Sequence, residues 1–212
     1  MSPLLTAILN TAGGVLAGIA CLTLPLLRQR RALHIARHQA GHDDTTGLPN
    51  RRTLLTALGR AQHRDRPFGL VLLDLNRFKA VNDTYGHEAG NDLLIAVGQR
   101  LTSLPIRAMA ARLSGDEFAL LVDGGPDEVG NAARHAASVI AAEPFALPSG
   151  AQVAIRASVG YTTGRVGVPV RDLLREADAA VYWAKDGIDD VSRYHPDVTT
   201  PGNTRQRCRD RR

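Results

Sequence analysis

The chain is poor in cysteine, lysine and aromatic residues, and each shortage excludes something. Its two cysteines, Cys21 and Cys208, stand near opposite ends of 212 residues. That leaves no disulfide framework and suits a reducing compartment. Aromatic residues make up 4% of the chain and neither basic flank carries one, so the stacking side chains of a single-strand nucleic-acid binder are missing. Lysine occurs twice, at Lys79 and Lys185, against 24 arginines. Acids are absent from residues 28–38, which hold four arginines, and Asp210 alone faces five arginines in residues 205–212. The net charge of +5 therefore sits in the flanks, and the rest of the chain is slightly acidic. Such a distribution describes solvated or membrane-facing tails, not a nucleic-acid-binding core.

One stretch lacks charge altogether. Residues 3–27 contain no Asp, Glu, Lys or Arg, and about 20 apolar residues suffice to span a bilayer core. The run predicts one transmembrane helix. Arg28, Arg30 and Arg31 follow at once, which by the positive-inside rule keeps everything beyond them cytoplasmic. A cleaved signal peptide is the rival. The start Met1-Ser2-Pro3 lacks a basic leader region, and Leu26-Leu27-Arg28 lacks a small-residue cleavage site. Residues 28–43 read as a basic juxtamembrane connector. His34, His38 and His42 recur on one helical face there and are read as a solvated or headgroup-facing stripe, not a metal set. Residues 196–212 read as a disordered basic tail.

Between these flanks the pattern alternates in type. Helices are predicted at 50–64, 77–83, 88–103, 127–142 and 169–186. Strands are predicted at 68–74, 107–113, 117–122, 151–159 and near 190–194. Pro49, Pro126 and Pro169 stand at helix starts, where a missing N–H is harmless. Gly86 and the Gly124-Gly125 pair mark turns. The order indicates an α+β domain over residues 44–195, with helices over a mainly antiparallel sheet.

Two segments carry the chemistry. Val71-Leu72-Leu73 runs into Asp74. Ala108-Met109-Ala110-Ala111-Arg112-Leu113 leads through Ser114-Gly115 to Asp116-Glu117 and the apolar run that follows. A glycine-containing two-residue turn between apolar runs signals a hairpin. If the strands lie side by side, Asp74 and Asp116 can share one divalent cation, with substrate phosphates completing its shell. The alternative is two unrelated surface carboxylates.

Five motifs in order resemble the GGDEF family, the bacterial diguanylate cyclases. Asp44-Thr45-Thr46-Gly47-Leu48-Pro49-Asn50-Arg51-Arg52 is similar to the family's entry motif. Asp74-Leu75-Asn76-Arg77-Phe78-Lys79 and the residues to His87 resemble its central motif, and Ser114-Gly115-Asp116-Glu117-Phe118 its signature, with Ser114 for the first glycine. Ser158-Val159-Gly160 and the run from Ala177 to Lys185 resemble two later blocks. The resemblance implies a ferredoxin-like core similar to the palm of adenylyl cyclases and polymerases. It implies a homodimer that joins two GTP into cyclic di-GMP for downstream effectors, using Mg²⁺ or Mn²⁺. Asp74, the Leu75 carbonyl and Asp116 would hold the metal. Glu117 would assist the metal or the attacking hydroxyl, making Asp116 and Glu117 the catalytic pair. Lys79, Lys185 and backbone N–H groups from Asn76 to Lys79 would meet the phosphates. Asn82 and Asn91 would read the base. Phe78 is grouped with these substrate residues, although like Phe118, Leu48 and Tyr182 it also reads as core.

Three departures from the family follow. If the Ser114 position needs a positive φ, serine costs roughly 1 kcal/mol there. After Lys185 the chain reads Asp186-Gly187-Ile188-Asp189-Asp190, so the family's phosphate-facing arginine is missing and acids replace it. Asn91 stands where the family has Asp. The upstream inhibitory Arg-x-x-Asp register reads Pro105-Ile106-Arg107-Ala108, so no product-inhibition site is expected. The reading is a membrane-anchored diguanylate cyclase, single-pass in the cell membrane. The alternative is a degenerate, catalytically weak or inactive GGDEF module acting through nucleotide or partner binding.

Asn91 generates a test. A carboxylate accepts from both guanine N1–H and the 2-amino group, whereas an amide offers one acceptor and one donor group. Asn91→Asp should raise the GTP-over-ATP preference about 10-fold in a competition assay, within the 1–3 kcal/mol of one unpaired polar group. An unchanged ratio removes Asn91 from base reading.

Overall fold

The computed structural model describes residues 41–165, 167–187 and 189–196. The expected membrane helix over residues 3–27, most of the connector with His34 and His38, and the tail beyond residue 196 lie outside the described residues. Among the described residues no helix is long and apolar enough to cross a membrane.

The apolar run ahead of Asp74 becomes the central strand, β1 (Phe68–Leu75), buried at every position but Asp74. It pairs antiparallel with β3 (Glu117–Asp123) on one side and β6 (Ala157–Thr163) on the other. Strand β2 (Ala108–Ser114) pairs antiparallel with β3, and β7 (Val191–Arg193) joins β6 in parallel, giving the order β2-β3-β1-β6-β7. A strand covered on both faces reads as a continuous apolar run, and alternate residues serve different layers. Val71, Leu73 and Leu75 enter one core with Leu93 and Val97 of α2 (Phe78–Thr102) and Val129 and Ala136 of α3 (Pro126–Ala141). Phe68, Leu70 and Leu72 enter a second core with Leu54 and Leu58 of α1 (Arg51–Gln62) and Leu173 and Ala177 of α4 (Val170–Asp186). The α+β class and mainly antiparallel sheet agree with the sequence reading, and the helices divide two to each face.

Three local features have physical reasons. The two helices expected at 77–83 and 88–103 are the two limbs of α2, separated as expected at Gly86, whose φ of 86° and ψ of 165° are not helical. The strand expected over 151–159 is split. Gln152–Val153 (β5) pairs with Phe145–Ala146 (β4) as a separate hairpin, closed by a bond from the Gly150 N–H to the Leu147 carbonyl, and β6 starts at Ala157. Finally, Ser114 is the last residue of β2 and pairs with Glu117, so the hairpin turn is Gly115-Asp116. The positive φ, 47°, falls on Gly115. Serine at 114 therefore carries no backbone penalty.

A close approach sets the helix that carries Lys185. A Cβ on Gly160 would lie 2.2 Å from the Val181 nitrogen and 2.4 Å from the Ala177 oxygen. The α4 backbone thus rests directly on β6, and any side chain at 160 would lift the helix.

The domain reaches further toward the N-terminus than residue 44. The Asn50 amide donates to the His42 carbonyl at 3.2 Å, while its Oδ1 caps α1 by accepting from the Thr53 N–H at 3.1 Å. Asp43 accepts from the Thr46 N–H and hydroxyl and from the Arg112 guanidinium, the last at 2.8 Å. Arg112 also donates to the Gly115 carbonyl at 3.0 and 2.8 Å. One arginine thereby ties the entry loop to the signature turn. Burial pushes the Asp43 carboxyl up, but bonds from Thr46 and Arg112 outweigh it and hold it below its ordinary 3.8. A lowered folded value means stability that is present above pH 3.8 and lost as pH falls through the folded value. Asp43→Asn should therefore be less stable than wild type at neutral pH by about 1 kcal/mol. The gap in thermal midpoint should close as pH drops below 3.8. A gap independent of pH would contradict the assignment.

Candidate active site

The register of β1 against β3 brings the predicted acids together. Asp74 is paired with Glu117, and the Leu75 N–H donates to the Asp116 carbonyl at 3.2 Å. The turn carrying Asp116 is thus bonded to the last residue of β1. An extra residue on β2, Leu113, bulges the hairpin just before the signature. The Ser114 hydroxyl donates to Glu117 Oε2 at 2.8 Å, a contact that glycine could not make. Sequence reasoning treated Ser114 only as a backbone question and missed its hydroxyl.

Among the described residues no three His, Cys, Asp or Glu side chains form a ready-made metal cage. The donors expected from the sequence, Asp74, Asp116 and the backbone carbonyl of Leu75, are hard oxygens on residues of one strand end. They suit a Mg²⁺ or Mn²⁺ ion that takes its remaining ligands from substrate and water. Positive charge is already drawn there: the Lys185 ammonium lies 2.9 Å from Asp74 Oδ2, with the carboxylate side chain only 18% exposed. Lys185 was expected at the phosphates, and in this state it pairs with the carboxylate. Lys79 is exposed at the head of α2.

Between β1 and α2 the chain turns through Arg77, whose φ of 61° makes it the left-handed non-glycine among the described residues. Such a conformation costs roughly 1–2 kcal/mol. The turn is held from the side: the Asn76 N–H donates to the Arg156 carbonyl at 2.8 Å, and the Ser158 hydroxyl to Asn76 Oδ1 at 2.9 Å. The Asn76 N–H is therefore engaged. The groups left for an anion are those at the head of α2, where a helix leaves its N–H donors unpaired. Phe78 is 9% exposed and belongs to the core, so its side chain packs inward and a substrate there meets its backbone.

Asn82 and Asn91 lie on the two limbs of the bent α2. Asn82 folds over Gly90: a Cβ at 90 would stand 1.9 Å from Asn82 Oδ1. Asn91, the next residue, is exposed. The bend thus brings the Asn82 side chain to Gly90, the residue before Asn91. Asp43, Arg112, Arg156 and Asp190 belong to the surroundings of the site and were not assigned from sequence. Their partners lie 69 and 34 residues away, and no local spacing signals such pairs.

The family pattern for "Diguanylate cyclase, GGDEF domain" matches residues 40–189. The chain belongs to the GGDEF family. It is 40% identical over 154 residues to the bifunctional diguanylate cyclase/cyclic di-GMP phosphodiesterase MucR of Pseudomonas aeruginosa, covering 68% of this chain and 22% of that protein. It is 36% identical over 159 residues to the diguanylate cyclase TpbB of Pseudomonas aeruginosa, covering 70% of this chain and 36% of TpbB. The chain thus spans about a fifth to a third of these curated relatives' length. Among solved structures, the coiled coil and GGDEF domain of DgcB from Caulobacter crescentus, in complex with c-di-GMP, superposes with a TM-score of 0.74 at 27% identity. That match covers 84% of this chain and 98% of the DgcB chain.

Gly90 supplies a test of Asn82. Gly90→Ala should displace the Asn82 amide and weaken binding of a GTP analogue about 10-fold, the effect of one lost polar contact, with little change in thermal midpoint. Unchanged affinity would show that Asn82 does not contact the nucleotide.

Proposed function

We propose that this chain is an active diguanylate cyclase that condenses two GTP into cyclic di-GMP and releases two pyrophosphates. The observation that carries this reading is the strand register. It sets Asp74 opposite Glu117 and bonds Leu75 to Asp116, so the acids of two distant motifs share one strand end. The c-di-GMP bound to the DgcB domain supports the same product here.

In the proposed reaction each ribose 3′-hydroxyl attacks the α-phosphate of the other GTP. A new P–O bond forms, the bond to pyrophosphate breaks, and the hydroxyl proton is lost. Phosphoryl transfer of this kind is mostly positioning and charge neutralisation. Asp74, Asp116 and the Leu75 carbonyl would hold Mg²⁺ or Mn²⁺, which supplies charge neutralisation and a lowered pKa for the attacking hydroxyl. Glu117, whose Oε2 accepts from the Ser114 hydroxyl, would assist the metal or take that hydroxyl's proton. The head of α2 and Lys79 hold the triphosphate, and Lys185, paired with Asp74 here, would exchange that carboxylate for a phosphate oxygen. Asn82 and Asn91 contact the base. One domain offers one half of the reaction, so two chains must face each other as a homodimer. Residues 3–27 anchor the chain in the cell membrane with the GGDEF domain cytoplasmic, which raises the local concentration of partners.

The second reading is a nucleotide- or partner-binding module without turnover. It is favoured by Asn91 and by the acids that follow Lys185. Incubating the full chain in detergent with Mg²⁺ and GTP separates the two. The cyclase reading expects cyclic di-GMP from wild type and at least a 100-fold loss in Asp116→Ala with the fold intact by circular dichroism, as for removal of a main electrostatic stabiliser. GTP binding without product would transfer the assignment to the module. Product from Asp116→Ala at the wild-type rate would remove Asp116 from the site. Recovery of the chain in the soluble fraction without detergent would overturn the anchor.

A further inference from the structure

The segment after Lys185 carries Asp189 and Asp190 and no cation. The structure brings an arginine to it from elsewhere. Arg156 lies immediately before β6, and Leu75 pairs with Ala157, so Arg156 stands level with the turn out of β1. Its carbonyl accepts the Asn76 N–H at 2.8 Å, which ties its backbone to the turn that opens α2. Its guanidinium donates to Asp190 Oδ2 from Nε at 2.8 Å and also from Nη2. Asp190 is itself fixed, because its carbonyl accepts the Val159 N–H at 2.7 Å. Both ends of the arginine are therefore anchored at the edge where β1, β6 and the end of α4 meet.

We infer that Arg156 supplies the triphosphate-facing cation that the segment after Lys185 lacks, with Asp190 as the residue that aims it. The inference rests on the proposed function and deepens it. A guanidinium has five N–H donors. Two are spent on Asp190, and the side chain is still 67% exposed, against 28% for the carboxylate. The remaining donors are open to solvent on a residue whose backbone is bonded to the turn that opens α2, and they suit the forked recognition of phosphate oxygens. A plain surface ion pair is the competing explanation, worth little by itself. What favours the phosphate role is position: the Arg156 backbone is bonded to the turn that opens α2, and its guanidinium keeps unspent donors.

Arg156→Ala removes the guanidinium and keeps both backbone bonds. The measurement is calorimetric binding of a non-hydrolysable GTP analogue and of GMP, with Mg²⁺, to the full chain in detergent. For Arg156→Ala we expect about 10-fold weaker binding of the GTP analogue, the size of one lost charged hydrogen bond, and less than about a 2-fold change for GMP. The double variant Arg156→Ala with Asp190→Asn should remain weak. Arg156→Lys should recover part of the loss. Unchanged GTP-analogue affinity in Arg156→Ala, an equal loss for GMP, or full recovery in the double variant would each overturn the assignment while the functional reading stands. The last of these would mean that Arg156 only masks Asp190. Failure of the wild-type chain to bind the GTP analogue at all would overturn both.

Discussion

Like charges held at one strand end are the constraint on which this domain turns. The antiparallel pairing of β1 with β3 sets Asp74 opposite Glu117, with Asp116 in the turn beside them. Carboxylates brought to one strand end favour a cation beside them, and the Lys185 ammonium lies 2.9 Å from Asp74 Oδ2. The surrounding architecture delivers that cation. Gly160 lets α4 lie against β6, and the last turn of α4 carries the lysine that pairs with Asp74. The same strand pairing that makes the core therefore gathers the acids for which a metal ion is proposed.

The ion pairs around the site differ in weight. Asp43 with Arg112 is the more enclosed, at 25% and 10% side-chain exposure, and the arginine makes further bonds to the Gly115 carbonyl. Its role is to hold the signature turn against the entry loop. Asp74 with Lys185 is a single contact in which a flexible lysine neutralises one carboxylate. That pairing is easily exchanged, which suits a side chain proposed to move to phosphate. Asp190 with Arg156 is more open, and its energy of association is small. Its proposed value lies in fixing the guanidinium that is inferred to meet the triphosphate.

Much of this was legible in the sequence. The apolar run into Asp74 gave the central strand because a strand buried on both faces cannot hide its composition. Glycine and proline marked the bend at Gly86 and the start of α3. The hairpin at Gly115 was readable too, but which residue takes the left-handed conformation was not, since a one-residue shift exchanges Ser114 with Gly115. The boundary between β5 and β6 was lost because apolar residues alternate through Val153, Ile155 and Ala157 without a break, while the pairing partner changes. Contacts made by the charged side chains escaped altogether. Asp43 and Arg112 meet only because two elements pack, and the acids at 189 and 190 read as a loss until Arg156 is seen on Asp190. Motifs report which groups are present, and the fold decides which charge answers which.

The central claim is that Asp74 and Asp116 serve one shared cation. The most direct measurement is Mn²⁺ binding to the full chain with a non-hydrolysable GTP analogue, followed by electron paramagnetic resonance, in Asp74→Asn, Asp116→Asn and the double variant. A shared ion predicts that each single change loses most of the affinity and that the double loses far less than the two losses combined, the signature of residues acting on one ligand. Single variants that bind Mn²⁺ as wild type does, or losses that simply add, would contradict it.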